Sequence, residues 1–258
     1  MTVIDIHGHI GTWHDFFIPQ PSTTWLTETS ARIGIDTTGV SHLIALGFDT
    51  TVGNRMAIAA ADKSAGRLGV WLVANPHRAG DVELIREQLS APHVWGLKVH
   101  PDVHEYAITD RGDAPYLSLA QELGVPVLSH GETRSPWSDP AQLAEVSDRY
   151  EGLAVLIGHS GLWHDSLDRT AGLATDHPDL YLELCGSRMT RLWVERLIVS
   201  AGAEKVLFGS DACFLDPRLG LGKVLFARIT ERERKLVLGG NALRILGDRY
   251  RGNRETSD

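Results

Sequence analysis

Residues 5–9 read Asp5-Ile6-His7-Gly8-His9, directly after a short apolar start. Histidines at i and i+2 of an extended strand point to one side, so both imidazoles can grip one cation at about 2.0–2.1 Å. Such a pair is weak on its own, but the pattern recurs. Apolar runs also end at His130, at His159 and at Asp211, and Gly96-Leu97 leads into Lys98-Val99-His100. Together these residues offer neutral imidazoles and one carboxylate. That mixed donor set suits zinc, and also manganese, iron or cobalt. A divalent metal with an open position can lower the pKa of water to about 7. His7, His9, His130 and Asp211 are the ligand candidates. Asp211 doubles as a general base that takes a proton from water and returns it to a leaving group. His159 fits a direct ligand, an outer partner of the metal, or a group that hydrogen-bonds the substrate, and it joins Asp211 as a catalytic candidate.

Lys98 and His100 form a second i, i+2 pair facing one way. A buried Lys98 could hold a substrate carboxylate, or carry a carbamate that bridges two metals; the bland alternative is a side chain that snorkels to solvent. Arg134, Trp137, Trp163 and Arg188 follow the ends of apolar runs and could shape a pocket for an anionic or aromatic ligand, although tryptophans near loops often simply pack. Lys98, His100, Trp163 and Arg188 are taken as the substrate contacts. Glu132 and Glu183 fit the cavity wall or, more commonly, an outer layer. Neither Gly158-His159-Ser160-Gly161 nor Gly209-Ser210-Asp211 is a G-x-S-x-G nucleophile elbow.

These residues need elements to carry them. Eight short, mostly apolar runs are expected as strands, at 3–6, 42–46, 68–73, 96–99, 126–129, 154–157, 180–184 and 206–208. Near-continuous apolarity marks strands of a parallel sheet buried on both faces. Amphipathic stretches alternate with them, punctuated by Asp139-Pro140, by a Thr230/Glu233 capping box, and by Gly66, Gly124, Gly152, Gly202 and Gly247 at helix ends. This rhythm over about 250 residues predicts a single-domain (β/α)8 TIM barrel over residues 1–248, with 249–258 as a polar tail. An open doubly wound sheet shares the alternation. It lacks support here, because no G-x-G-x-x-G follows the first strand, and because only a barrel gathers the ends of strands one, four, five, six and eight around one mouth. Residues 10–38, with Trp13, Phe16, Phe17 and Trp25, are too long for a plain connection. They either cover the mouth or close the barrel edge.

The 258 residues are 43% hydrophobic and 22% charged, with a formal net charge of −8. That acidity argues against a nucleic-acid partner, which would want a basic face. No run approaches the roughly 18–20 apolar residues of a membrane span, and no export signal precedes the first strand. The two cysteines, Cys185 and Cys213, form no disulfide framework. The expectation is a soluble cytoplasmic protein acting on a small molecule.

In order along the chain, Ile4-Asp5-Ile6-His7-Gly8-His9-Ile10-Gly11, Gly96-Leu97-Lys98-Val99-His100-Pro101, Ile157-Gly158-His159-Ser160-Gly161, Leu180-Tyr181-Leu182-Glu183-Leu184, Phe208-Gly209-Ser210-Asp211 and Gly240-Asn241-Ala242 resemble the amidohydrolase superfamily. The closer likeness is to its amidohydrolase-related branch, which includes metal-dependent hydrolases and aminocarboxymuconate-semialdehyde decarboxylase-like enzymes. The resemblance implies a distorted (β/α)8 barrel and a divalent metal, usually zinc, on His7, His9, His130 and Asp211. It makes His159 a further ligand or the group that polarises the substrate, and it places Lys98 where binuclear members carry a carboxylated lysine. Barrels of this kind often pair, so a homodimer is one expectation. The first functional reading is hydrolysis of an ester, lactone or amide. The alternatives are a non-oxidative decarboxylase or lyase acting on an aromatic or unsaturated carboxylic acid, and a binding barrel without catalysis.

Overall fold

The computed structural model describes residues 1–250. Eight parallel strands run in the order β1 Ile4–Ile10, β2 Thr37–His42, β3 Leu68–Val73, β4 Val94–Val99, β5 Val127–Ser129, β6 Val155–Ile157, β7 Leu180–Glu183 and β8 Val206–Leu207, each paired with the next. Helices fill the intervals, which makes this a (β/α)8 barrel. β8 returns to β1 through a bridge between Gly8 and Ala212 and through the Ile6 N–H, which donates to Phe208 O at 3.0 Å. The barrel is irregular where the register slips, between Asp5 and Gly8 on β1 and between Val70 and Trp71 on β3.

The strands are apolar because both faces are covered. Val70, Leu72, Leu97, Val99, Val127, Val155, Ile157, Leu182 and Val206 share one core with the surrounding helices. Ile4, Ile6, Trp71, Trp95, Leu128, Leu156, Tyr181 and Leu207 form a second core with Ala242, Leu246 and Tyr250. The slip on β1 matters for the site. Strict alternation would set Ile6 and His7 on opposite faces. With one bulge, Ile6 joins the inner core while His7 and His9 line the cavity above it.

The second strand lies at 37–42, not at 42–46 as the apolar pattern suggested. The run Leu43–Gly47 is a short helix, and His42 caps it by accepting the Ile44 N–H on Nδ1 at 3.2 Å. Periodicity does not separate a short buried helix from a buried strand. The true strand is disguised by its small residues, which make room for tryptophans: a Cβ at Gly39 would stand 2.4 Å from Trp95 Cζ3. The long segment 10–38 resolves into a loop and a conventional helix, Thr23–Ile33, capped by Ser22 and ended by Gly34 at φ +85°. Within the loop, Ile18 packs with Leu43, Leu46, Val73 and Cys213, while the Trp13 and Phe16 rings lie against Phe214. Arg249 donates to Leu89 O and Val94 O, and Tyr250 is buried; the rest of the polar tail lies outside the described residues.

Asp113 precedes the helix Ala114–Leu123 and is fully buried, with neither carboxyl oxygen hydrogen-bonded among the described residues. Burial, aided by Asp110, pushes its pKa up to about 8. The native carboxyl therefore keeps a proton that the unfolded chain releases near pH 4. Stability contributed by this group is complete below about pH 4 and is lost as the pH rises toward 8. Asp113→Asn should remove that loss: urea titrations from pH 4 to 8 should show the variant gaining on the wild type as pH rises. A constant difference would contradict this assignment.

Candidate metal centre

A cavity of about 230 Å³ opens at the C-terminal ends of the strands, lined by His7, His9, Lys98, His100, His130, His159, Gly186, Ser187, Asp211 and Phe214 among others. A larger cleft of about 710 Å³ lies outside the barrel between the helices Thr23–Ile33 and Thr50–Asp62, where threonines and alanines predominate. The clustered titratable groups are in the smaller cavity.

His9 Nε2 stands 3.3 Å and His7 Nε2 3.9 Å from Asp211 Oδ1. One ligand atom from each of the three residues falls within 4.8 Å of the other two. Each imidazole is held from behind: His7 Nδ1 meets Glu183 Oε2 at 2.9 Å, and His9 Nδ1 meets Ser41 Oγ at 2.9 Å. Such outer partners fix the ring and its tautomer and leave Nε2 for the cavity. Burial lowers the pKa of both rings, so they stay neutral, as a ligand must be. Burial pushes Asp211 the other way, but the hydrogen bond from His9 and the neighbouring imidazoles outweigh it and hold the carboxyl well below the usual carboxylate range.

Asp211 is delivered by strained backbone at φ +62°, and His159 by a turn in which His159, Ser160 and Leu162 lie at φ +59°, +48° and +67°. Each such residue costs on the order of 1–3 kcal/mol and persists only where its surroundings over-determine it. Here they do. Asp211 N–H donates to His7 O at 2.8 Å, and Asp5 accepts from Ser210 N and Oγ. His159 N–H donates to Glu183 Oε2 at 3.1 Å, and Ser160 Oγ to Glu183 O at 2.8 Å.

His130 lines the cavity and stacks on His100, with centroids 4.3 Å apart. Its Nε2 is 3.7 Å from Asp102 and 3.8 Å from Glu132, while its Nδ1 is buried without a hydrogen-bond partner among the described residues. His159 also lines the cavity, and burial pushes its pKa down to about 3. Lys98 is 1% exposed, and its Nζ is 3.0 Å from His7 Nε2. Trp163 and Arg188 are not among the cavity's lining residues. The Arg188 and Arg134 guanidiniums stack on the Trp163 ring at 4.1 and 3.7 Å, and the indole N–H donates to Glu132.

Two neighbours escaped sequence reasoning. Cys185 Sγ lies 2.9 Å from His159 Nδ1 and 3.2 Å from His7 Nδ1. The Phe214 ring lies 5.0 Å from that of His9. Cys185 stands two residues past Glu183, so the same i, i+2 reasoning that linked His7 to His9 could have found it. Two neutral nitrogens and an ionised carboxylate form a donor set that fits a divalent metal; His130 lines the same cavity but is not part of that close group.

A barrel with titratable side chains gathered at the C-terminal ends of its strands is the architecture of a barrel enzyme. The amidohydrolase family model, Amidohydro_2, matches residues 4–247, and the chain belongs to that family. No curated protein sequence matches it. Solved structures with the same fold include 5-carboxyvanillate decarboxylase LigW from Sphingomonas paucimobilis (17% identity, TM-score 0.67, covering 95% of this chain and 98% of that one). A dihydroxybenzoic acid decarboxylase from Polaromonas sp. JS666, with bound manganese and the inhibitor 2-nitroresorcinol, is 18% identical (TM-score 0.68, 95% and 96% covered). A Pseudomonas putida protein described as a candidate 2-pyrone-4,6-dicarboxylic acid hydrolase is 17% identical (TM-score 0.71, 96% and 98% covered).

Glu183 is the acceptor for His7 Nδ1, His159 N–H and Cys185 N–H, the last on its other oxygen. An amide accepts on one atom only. Glu183→Gln should therefore strand a buried N–H and destabilise the metal-free protein by about 1–3 kcal/mol, read by urea unfolding. An unchanged midpoint would mean that the carboxylate does not bear this load.

Proposed function

We propose that the chain is a metal-dependent hydrolase that cleaves an ester, lactone or amide bond of a small molecule. The observation that carries this reading is the convergence of His7, His9 and the ionised Asp211 on one buried point of a cavity. With His130, these residues would hold a divalent metal, zinc first and manganese next, which supplies Lewis acidity and acidifies water. Asp211 accepts the proton of the attacking water and returns it to the leaving group. His159, across the cavity, donates a hydrogen bond to the carbonyl oxygen as it gains charge. Lys98 and His100 hold the substrate's polar end. Trp163 and Arg188 act from the rim, outside the cavity lining. At about 230 Å³ the cavity is below the ~300–1,000 Å³ of ordinary ligand pockets, which favours a compact substrate. Two free cysteines suit a reducing compartment such as the cytoplasm.

One observation favours decarboxylation of an unsaturated or aromatic acid as a second reading. Lys98 places an amine in the cavity beside His7, where it would pair with a carboxylate. Incubation with ester, lactone and carboxylate panels separates the two by whether acid or carbon dioxide is released. On the substrate so found, Asp211→Asn should lower kcat by about 10²–10⁴-fold, the usual worth of a general acid–base group, with an unchanged circular dichroism spectrum. Retention of most of the activity would remove Asp211 from the proton path.

A further inference from the structure

Cys185 takes no part in the reaction proposed above, yet its sulfur is wedged between two of the site's imidazoles, 2.9 Å from His159 Nδ1 and 3.2 Å from His7 Nδ1. The protons around it follow from which groups can donate. Glu183 Oε2 accepts the His159 backbone N–H and stands 2.9 Å from His7 Nδ1, so it is the acceptor there too. The neutral His7 ring therefore carries its proton on Nδ1. His7 Nδ1 thus has no lone pair to offer the thiol. Two acceptors remain close to Cys185: the Glu183 carboxylate and His159 Nδ1. Glu183 already accepts from the backbone N–H of Cys185 and of His159 and from the His7 ring. The thiol also interacts with the crowded Glu183 carboxylate, but at 2.9 Å the sulfur is the one hydrogen-bond partner of His159 Nδ1 among the described residues.

We infer that Cys185 is a positioning residue: it donates its S–H to His159 Nδ1 and so holds His159 in the tautomer that carries its proton on Nε2. This nitrogen has no protein partner among the described residues, and its ring lines the cavity. Fixed this way, His159 presents an N–H to the cavity rather than a lone pair. It recognises a substrate through a hydrogen-bond acceptor, a carbonyl or carboxylate oxygen, and it does not ligate a metal through Nε2. This assignment rests on the reading that His159 faces the substrate; the tautomer itself does not depend on any turnover.

The test uses metal-free full-length protein labelled with ¹⁵N-histidine. Long-range proton–nitrogen NMR reports which ring nitrogen carries the proton, and the His159 signals are those lost in His159→Gln. The wild type should show the Nε2–H form. In Cys185→Ala the Nδ1 resonance should shift toward the protonated position, as the two tautomers mix, and Cys185→Ser, which keeps an O–H donor, should restore the wild-type pattern. A wild-type spectrum with the proton on Nδ1 overturns the inference, as does an alanine variant with the wild-type pattern. If the alanine variant does not fold, the wild-type spectrum alone decides. Because no substrate is used, a failure here is distinct from a failure of the hydrolase reading, which would show as inactivity with the tautomer intact.

Discussion

One buried carboxylate organises the floor of this cavity. Glu183, with no exposed surface, accepts from the His7 ring, from the His159 backbone and from the Cys185 backbone. Burial raises its pKa, and the imidazole and N–H groups around it offset that cost. A carboxylate so enclosed is tolerable only with its lone pairs occupied. The arrangement therefore works in both directions. The three donors make a charged Glu183 affordable in the interior, and Glu183 fixes the strands β1 and β7 and the turn after β6 relative to one another. Removing any partner would disturb the others, as expected of a satisfied buried network.

Barrel closure does the rest. β8 is only two residues long, and the return to β1 depends on individual contacts beyond it. Asp5 accepts from Ser210, His7 O accepts from Asp211 N–H, and Gly8 bridges Ala212. These contacts join the same residues that the proposed metal centre needs. Closing the barrel and assembling the site are one event: the backbone that carries His7 and His9 is the backbone that holds Asp211 at φ +62°. This explains how a carboxylate 204 positions beyond His7 in sequence comes within 3.9 Å of it.

Much of this was legible in the sequence, for a physical reason. Strand ends of a (β/α)8 barrel share a rim, so polar residues after apolar runs converge whatever the helices between them do. His7, His9, Lys98, His100, His130, His159 and Asp211 all line one cavity. The second strand was misplaced because Gly39 and its small neighbours exist to admit Trp71 and Trp95, a requirement visible only once the barrel is closed. Trp163 and Arg188 lie outside the cavity lining and stack on each other. Strand periodicity orients residues on a strand and says little about loop residues past its end. Cys185 was overlooked because its chemistry is supplied by His7 and His159, which arrive from distant segments. The π-helical turn Leu236–Gly240 was also unforeseen; there Gly239 lets the backbone of Thr2 approach, since a Cβ would meet Thr2 O at 2.2 Å.

The proposed function requires His7, His9, His130 and Asp211 to share a divalent ion. Mass-spectrometric metal analysis of protein purified without chelators tests it most directly, with the His9→Ala variant run alongside. About one divalent ion per chain is expected in the native protein, with a large loss in the variant. Native protein that carries no metal and takes up neither zinc nor manganese would contradict it.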